Sequence, residues 1–159
     1  MIRVESKEKG DLALAKVISK LYESNIKVAL PISEHLPFDL IAIDNNCNLY
    51  KISVKYRKID KHGSIEIPLR QISCNSKGYK IKKADLSEIN IFCVYCPDIN
   101  QVLFVKSQEV KESNVKNLFI IRVSEPIIHK NLKTIRNYKN YLNPLSVFDL
   151  HIVSSNDTL

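Results

Sequence analysis

Residues 48–58, NLYKISVKYRK, alternate with a period of two. Ile52, Val54 and Tyr56 fall on one side, and Lys51, Ser53, Lys55 and Arg57 on the other. That is the period of a β-strand with one buried face. Such a strand is stable only inside a sheet whose apolar face is covered by another layer. Its second face is polar and cationic, which makes it a working surface. The neighbouring segments supply the layers. Residues 6–24 predict a helix, with Ser6 as N-cap and Leu14, Val17, Ile18 and Leu21 at i, i+3, i+4 and i+7. Residues 26–30 (IKVAL) predict a strand closed by Pro31, and the loop ISEHLP follows. Residues 38–44 (FDLIAID) predict a second strand that ends at the turn signal Asn45-Asn46.

Beyond KHG at 61–63, residues 64–70 predict a fourth strand. The polar, Lys-rich stretch 71–88 reads as a loop with a short helix near 84–88. The apolar runs 89–95, 101–105 and 118–123 read as strands, and 131–141 as a short basic helix stopped by Asn143-Pro144. A helix followed by this series of strands predicts a mixed α/β domain built on one central sheet. Its length of 159 residues suits one domain over 1–150 with a frayed tail at 151–159. No apolar run reaches the roughly 20 residues of a membrane-spanning helix. MIRVESKEKGD at the start lacks the apolar core of a signal peptide, so a cytoplasmic protein with no membrane partner is expected.

Against 17 Asp and Glu stand 24 Lys and Arg, a net charge of +7. An excess of this size in a small domain points to a polyanion, most plausibly nucleic acid, although incidental basicity of an interaction module is the competing reading. The cysteines do not point to chemistry. Cys93 and Cys96 form a CxxC without a second pair or paired histidines, and an offset of three in a strand puts the thiols on opposite faces. Cys47 and Cys74 have no matching spacing, and His35, His62, His129 and His151 are scattered. Reduced core or boundary thiols are expected.

Asp39, Ser53 and Lys55 form the constellation with chemical content. Antiparallel pairing of the strands around Asn45-Asn46 brings Asp39 opposite Ser53–Lys55. A carboxylate beside an ammonium and a backbone carbonyl is the equipment of metal-assisted phosphodiester hydrolysis. A solvated strand face carrying one Asp and some Lys is the simpler alternative, and the spacing alone leaves it open.

KGDLALAKVISKL, ALPISEHLPFDLIAID and LYKISVKYRK, in that order, resemble the PD-(D/E)XK nuclease superfamily, and within it the group I intron-associated homing endonucleases. The resemblance continues through ISCNSKGY, KADLSEINIFCVYCPD, QVLFV, LFIIRV and KTIRNYKNYL, covering roughly residues 7–141. It implies a restriction-endonuclease-like core with a central mixed sheet flanked by helices. It also implies Mg2+ as cofactor, double-stranded DNA as substrate, and a homodimer or homotetramer. Lys9-Gly10 match the family's opening, Asp39 its metal-binding Asp and Lys55 its catalytic Lys. Phe38 stands where the superfamily often has Pro. Two positions depart: the helical Glu falls at Leu14, and the Glu or Gln two residues before the Lys falls at Ser53. The implied metal ligands are therefore Asp39, the Val54 carbonyl and Ser53, with Asp11, one helical turn before Leu14, as a substitute carboxylate.

The basic residues then acquire roles as implied DNA contacts. Lys7, Lys9, Arg57, Lys58 and Lys61 flank the site. Arg70, Ser73, Asn75, Lys77, Tyr79, Lys80, Lys82 and Lys83 form a second segment, and Lys130, Lys133, Arg136 and Lys139 a third. Lys mostly meets phosphates, whereas Arg, Asn and Ser can read base edges, so 57–83 is the expected base reader. The functional expectation is a site-specific endonuclease of the homing type, impaired by Leu14 and Ser53. A Holliday-junction resolvase or restriction-like nuclease is the enzymatic alternative. A DNA-binding protein with a decayed nuclease site is the non-enzymatic one.

Overall fold

The computed structural model describes residues 2–124 and 136–148, with backbone alone at 2–4 and 71–75. In chain order the elements are α1 (Ile2–Glu23), β1 (Lys27–Ala29), β2 (Leu40–Ile43), β3 (Leu49–Tyr56), β4 (Ser64–Pro68), β5 (Arg70–Asn75), β6 (Gly78–Lys83), β7 (Ile91–Cys96), β8 (Gln101–Lys106), α2 (Ser107–Glu112) and β9 (Leu118–Arg122). Two 3₁₀ turns, Tyr138–Tyr141 and Pro144–Val147, follow.

α1 begins earlier than the sequence suggested, so Ser6 lies inside it and caps nothing. Ala13, Val17 and Leu21 recur every four residues and are fully buried, with Leu14 and Ile18 half-buried beside them. Asn25 stops the helix in the left-handed region at φ 61. The Ile26 N–H then donates to the Leu21 carbonyl at 2.9 Å, closing the last turn and tucking Ile26 under the helix.

The central sheet has five strands in the order β1-β2-β3-β7-β8. β3 pairs with β7 in parallel, and the other neighbours are antiparallel. This is the mixed sheet that was expected. One face packs α1 against Ile52, Ile91, Cys93, Tyr95 and Phe104, together with Val147 and Phe148. The other face packs Phe92, Val94, Leu103 and Val105 against β4, β9, Val110 of α2 and Tyr141. With both faces covered, every residue of β7 is buried, which is why IFCVYC reads as a continuous apolar run rather than an alternating one. Cys93 and Cys96 lie in different cores on opposite faces, and burial pushes both thiols up from their ordinary pKa.

Three expectations need correction. The strand near 64–70 does not join the central sheet; β4 pairs with β9 as a separate two-stranded ribbon. The stretch 71–88 is no loop with a helix. Most of it is an antiparallel hairpin, β5–β6, closed by Ser76-Lys77 with Asn75 opposite Gly78. Gly78 takes φ 122, a conformation that other residues avoid. The described part of the expected 131–141 helix is the 3₁₀ turn at Tyr138–Tyr141, and 131–135 lie outside the described residues. Asn143 does not simply end it: its side chain accepts the Leu145 N–H and starts the next 3₁₀ turn.

Candidate active site and nucleic-acid interface

The turn that joins β2 and β3 sets the register of the site. Asp44 is buried there, and its carboxylate accepts the Asn46 and Asn48 N–H groups at 2.9 Å each, the Asn48 amide, and the Tyr50 hydroxyl. Burial raises its pKa, but the bonds from Asn48, Asn46 and Tyr50 outweigh it, and the net displacement is downward. Asp44 is thus the structural carboxylate of FDLIAID. The other one, Asp39, stands at the far end of the ladder.

Leu40 pairs with Ile52, and the Asp39 N–H donates to the Ile52 carbonyl at 2.8 Å, so Asp39 stands opposite Ser53 as expected. Its carboxylate accepts the Val54 N–H at 2.6 Å. Ile52 and Val54 turn their backbone groups to the same edge of β3, because N–H and C=O directions alternate along a strand. The Val54 carbonyl therefore faces the opening beyond the end of β2, where the exposed Asp39 carboxylate also sits.

Ser53 and Lys55 project from the opposite face to α1, because they stand beside Phe92 and Val94 in the parallel register. Ser53 is 3% exposed. Lys55 is half-buried, and burial lowers its pKa from the ordinary lysine value, the nearby Asp39 charge opposing this and Arg57 adding to it. Ser53 and Lys55 line a cavity of about 420 Å³ with Glu34, His35, Pro68, Arg70, Lys82, Lys83, Asp85, Glu88 and Phe92. No local pattern announced these acidic and imidazole groups. They arrive from the β1–β2 loop and from the turn after β6, which only the tertiary fold brings to Lys55.

Leu14 is not among the lining residues. It packs on the α1 face, against the core that Val54 and Tyr56 also join. The sheet separates the Ser53 and Lys55 side chains from α1. Asp11 is an exposed residue of α1.

The oxygen donors on this opening are the Asp39 carboxylate, the Val54 carbonyl and the Ser53 hydroxyl. Among the described residues no group of three His, Cys, Asp or Glu is placed to hold a metal ion. One carboxylate with neutral oxygens fits Mg2+, which keeps several waters and takes further oxygens from phosphates, and fits neither a tetrahedral zinc centre nor a calcium cage.

The basic residues divide by environment. Lys7, Lys58 and Lys61 are exposed, whereas Lys9 is engaged by Glu5 at 2.8 Å. Arg70, Tyr79, Lys80, Lys82 and Lys83 lie exposed on the hairpin and Lys77 in its turn, while Ser73 and Asn75 occupy β5. Arg136 is half-buried with its guanidinium 4.2 Å from the Phe119 ring centre, so it braces the second core instead of standing free. Lys139 is exposed; Lys130 and Lys133 lie outside the described residues.

Residues 4–142 match the family model described as PD-(D/E)XK endonuclease. Among solved structures the chain is similar to a bacterial homing endonuclease, I-Ssp6803I, with 17% sequence identity, a TM-score of 0.65, and coverage of 85% of this chain and 86% of that one. This likeness is one of fold, and it agrees with the restriction-endonuclease-like core. No curated protein sequence matches. The family model spans nearly the whole described fold, including the β2–β3 opening, and the chain belongs to the PD-(D/E)XK endonuclease family.

Proposed function

We propose that the protein is a DNA endonuclease of the homing type that hydrolyses both strands of a long duplex site with Mg2+ and acts as a homodimer or homotetramer. The observation that carries this reading is the Asp39 carboxylate held on the Val54 N–H at 2.6 Å, with Lys55 one residue beyond. Asp39, the Val54 carbonyl and Ser53 would hold the ion. Bound there, Mg2+ would lower the pKa of a water and offset charge on the reacting phosphate. The Val54 N–H fixes the direction of the carboxylate. Lys55 donates to a phosphate oxygen from a half-buried position, where its charge is less screened than in water. The hairpin β5–β6 is a two-stranded ribbon of the width that the major groove admits. Its Lys and Arg side chains meet phosphates, and Ser73 and Asn75 supply polar groups for base edges. Since one protomer carries one site, cutting both strands needs at least a two-fold pair.

A second reading has its own support: Leu14 adds no ligand, and Ser53 replaces a carboxylate or amide by a hydroxyl. The protein would then bind DNA and cut it slowly or not at all. An assay for Mg2+-dependent cleavage of a duplex containing the intronless allele of the host gene, beside a four-way junction, separates the readings. Duplex cutting supports the first, selective junction cutting replaces it with a resolvase, and binding without cutting supports the second.

A further inference from the structure

Arg57 follows Lys55 by two residues, one past the end of β3, so the alternation of the strand directs it to the Lys55 side. It is half-buried, its N–H donates to the Tyr95 carbonyl at 3.0 Å, and its side-chain Nε is buried without a hydrogen-bond partner. The ion pairs among the described residues are Lys9–Glu5, Lys20–Glu23 and Lys51–Glu88, and none uses Lys55 or Arg57. Burial lowers the Arg57 pKa, with the more distant Glu66 opposing, and Arg57 in turn lowers that of Lys55. Two partly desolvated cations with no counter-ion in contact cost stability, and a buried donor without a partner costs more. Such groups persist where a ligand supplies the missing acceptor. Two residues along a strand span about 6.6 Å, which is close to one nucleotide step between neighbouring phosphates of a single strand.

We infer that Lys55 and Arg57 form a two-phosphate clamp, with Lys55 on the reacting phosphodiester and Arg57 on the next phosphate of the same strand. The inference rests on the DNA reading above and narrows the DNA contact expected of Arg57 to one phosphate, the neighbour of the reacting one. The clamp gives a protein with one carboxylate, Asp39, on the Val54 edge a way to hold its substrate in register through phosphate oxygens.

The test uses the full chain, its Arg57→Met and Arg57→Lys variants, and Lys27→Gln, at an exposed lysine of β1, as a surface control. Two probes are titrated: a mixed-sequence duplex, and the dinucleotide pTpT, which carries two phosphates. The Nε–H signal of Arg57, identified by its loss in Arg57→Lys, should shift with both. Arg57→Met should bind the duplex about tenfold more weakly. Its log–log salt slope should fall by about one. Its melting temperature should hold or rise, which a purely structural arginine would not allow. Lys27→Gln should change affinity much less than Arg57→Met. Duplex binding with an unmoved Arg57 signal, or an unchanged salt slope in Arg57→Met, overturns the clamp and leaves the DNA reading standing. A shift with pTpT but no duplex binding keeps the clamp and removes the DNA reading. No response to either probe removes both.

Discussion

The Asp39 carboxylate accepts the backbone N–H of Val54, at 2.6 Å, across the end of the β2–β3 ladder. One hydrogen bond thus sets the direction of the site's carboxylate against the strand that carries Lys55. It also places that carboxylate on the edge where the Val54 carbonyl emerges. One of the two oxygens is a strand carbonyl and the other is anchored to the same strand's backbone, and groups held on a strand are placed more precisely than groups on a loop.

The two departures from the family pattern can be tested by reversal. Ser53→Gln adds an amide oxygen to the opening, and Leu14→Glu puts a carboxylate where a leucine packs. We expect Leu14→Glu alone to destabilise the fold by about 1–3 kcal/mol, because it half-buries an unpaired polar group. In the double variant Mg2+ should recover stability by mass action, raising the melting temperature with ion concentration. Cleavage should rise by at least about a hundredfold, and removing Asp39 or Lys55 should abolish the gain. A double variant whose melting temperature ignores Mg2+ would show that Leu14 lies out of reach of the Asp39–Val54 edge.

DNA affinity should reside in the hairpin. Replacing residues 71–82 by a two-residue Asn-Gly turn removes Lys77, Lys80 and Lys82, together with the exposed strand β6. We expect duplex affinity to drop steeply while the melting temperature changes little. In Lys80→Gln the log–log salt slope should fall by about one. Unaltered binding by the shortened protein would move the interface elsewhere.

Acid should unfold the protein partly through Asp44. Its folded pKa lies below the ordinary 3.8 because the bonds from Asn48, Asn46 and Tyr50 outweigh burial. A carboxyl with a depressed folded pKa contributes stability above its unfolded value, and that contribution is lost as the pH falls through the folded one. Asp44→Asn should therefore melt below wild type at neutral pH, and the gap should narrow below about pH 4. Melting curves that stay parallel across that range would refute the assignment.

Gly63 should resist substitution. It takes φ 74, and a Cβ there would meet Ser124 Oγ at 2.1 Å and Ser124 Cβ at 2.8 Å. Its carbonyl also accepts the Val123 and Ser124 N–H groups, which seats the end of β9 beside β4. Gly63→Ala should cost about 1–3 kcal/mol, measured by denaturant unfolding, with the β4–β9 ribbon opening first in hydrogen exchange.

Much of this architecture was legible in the order of residues. The alternation in LYKISVKY assigned Ile52, Val54 and Tyr56 to one face and Ser53 and Lys55 to the other, and the Asn45-Asn46 turn predicted that Asp39 would meet Ser53. Side-chain direction in a strand follows from backbone geometry alone, so those statements needed no knowledge of what packs where. The hairpin escaped because GYKIKK of β6 is exposed along its whole length, and a strand with no buried face leaves little hydrophobic period to read. Tertiary structure alone decided the rest. It turned the Ser53–Lys55 face away from α1, sent Leu14 into the core, and brought Glu34, His35, Asp85 and Glu88 around Lys55. Those contacts join segments more than fifteen residues apart in sequence. They depend on how the sheet's two faces are covered, and a local pattern carries no information about that.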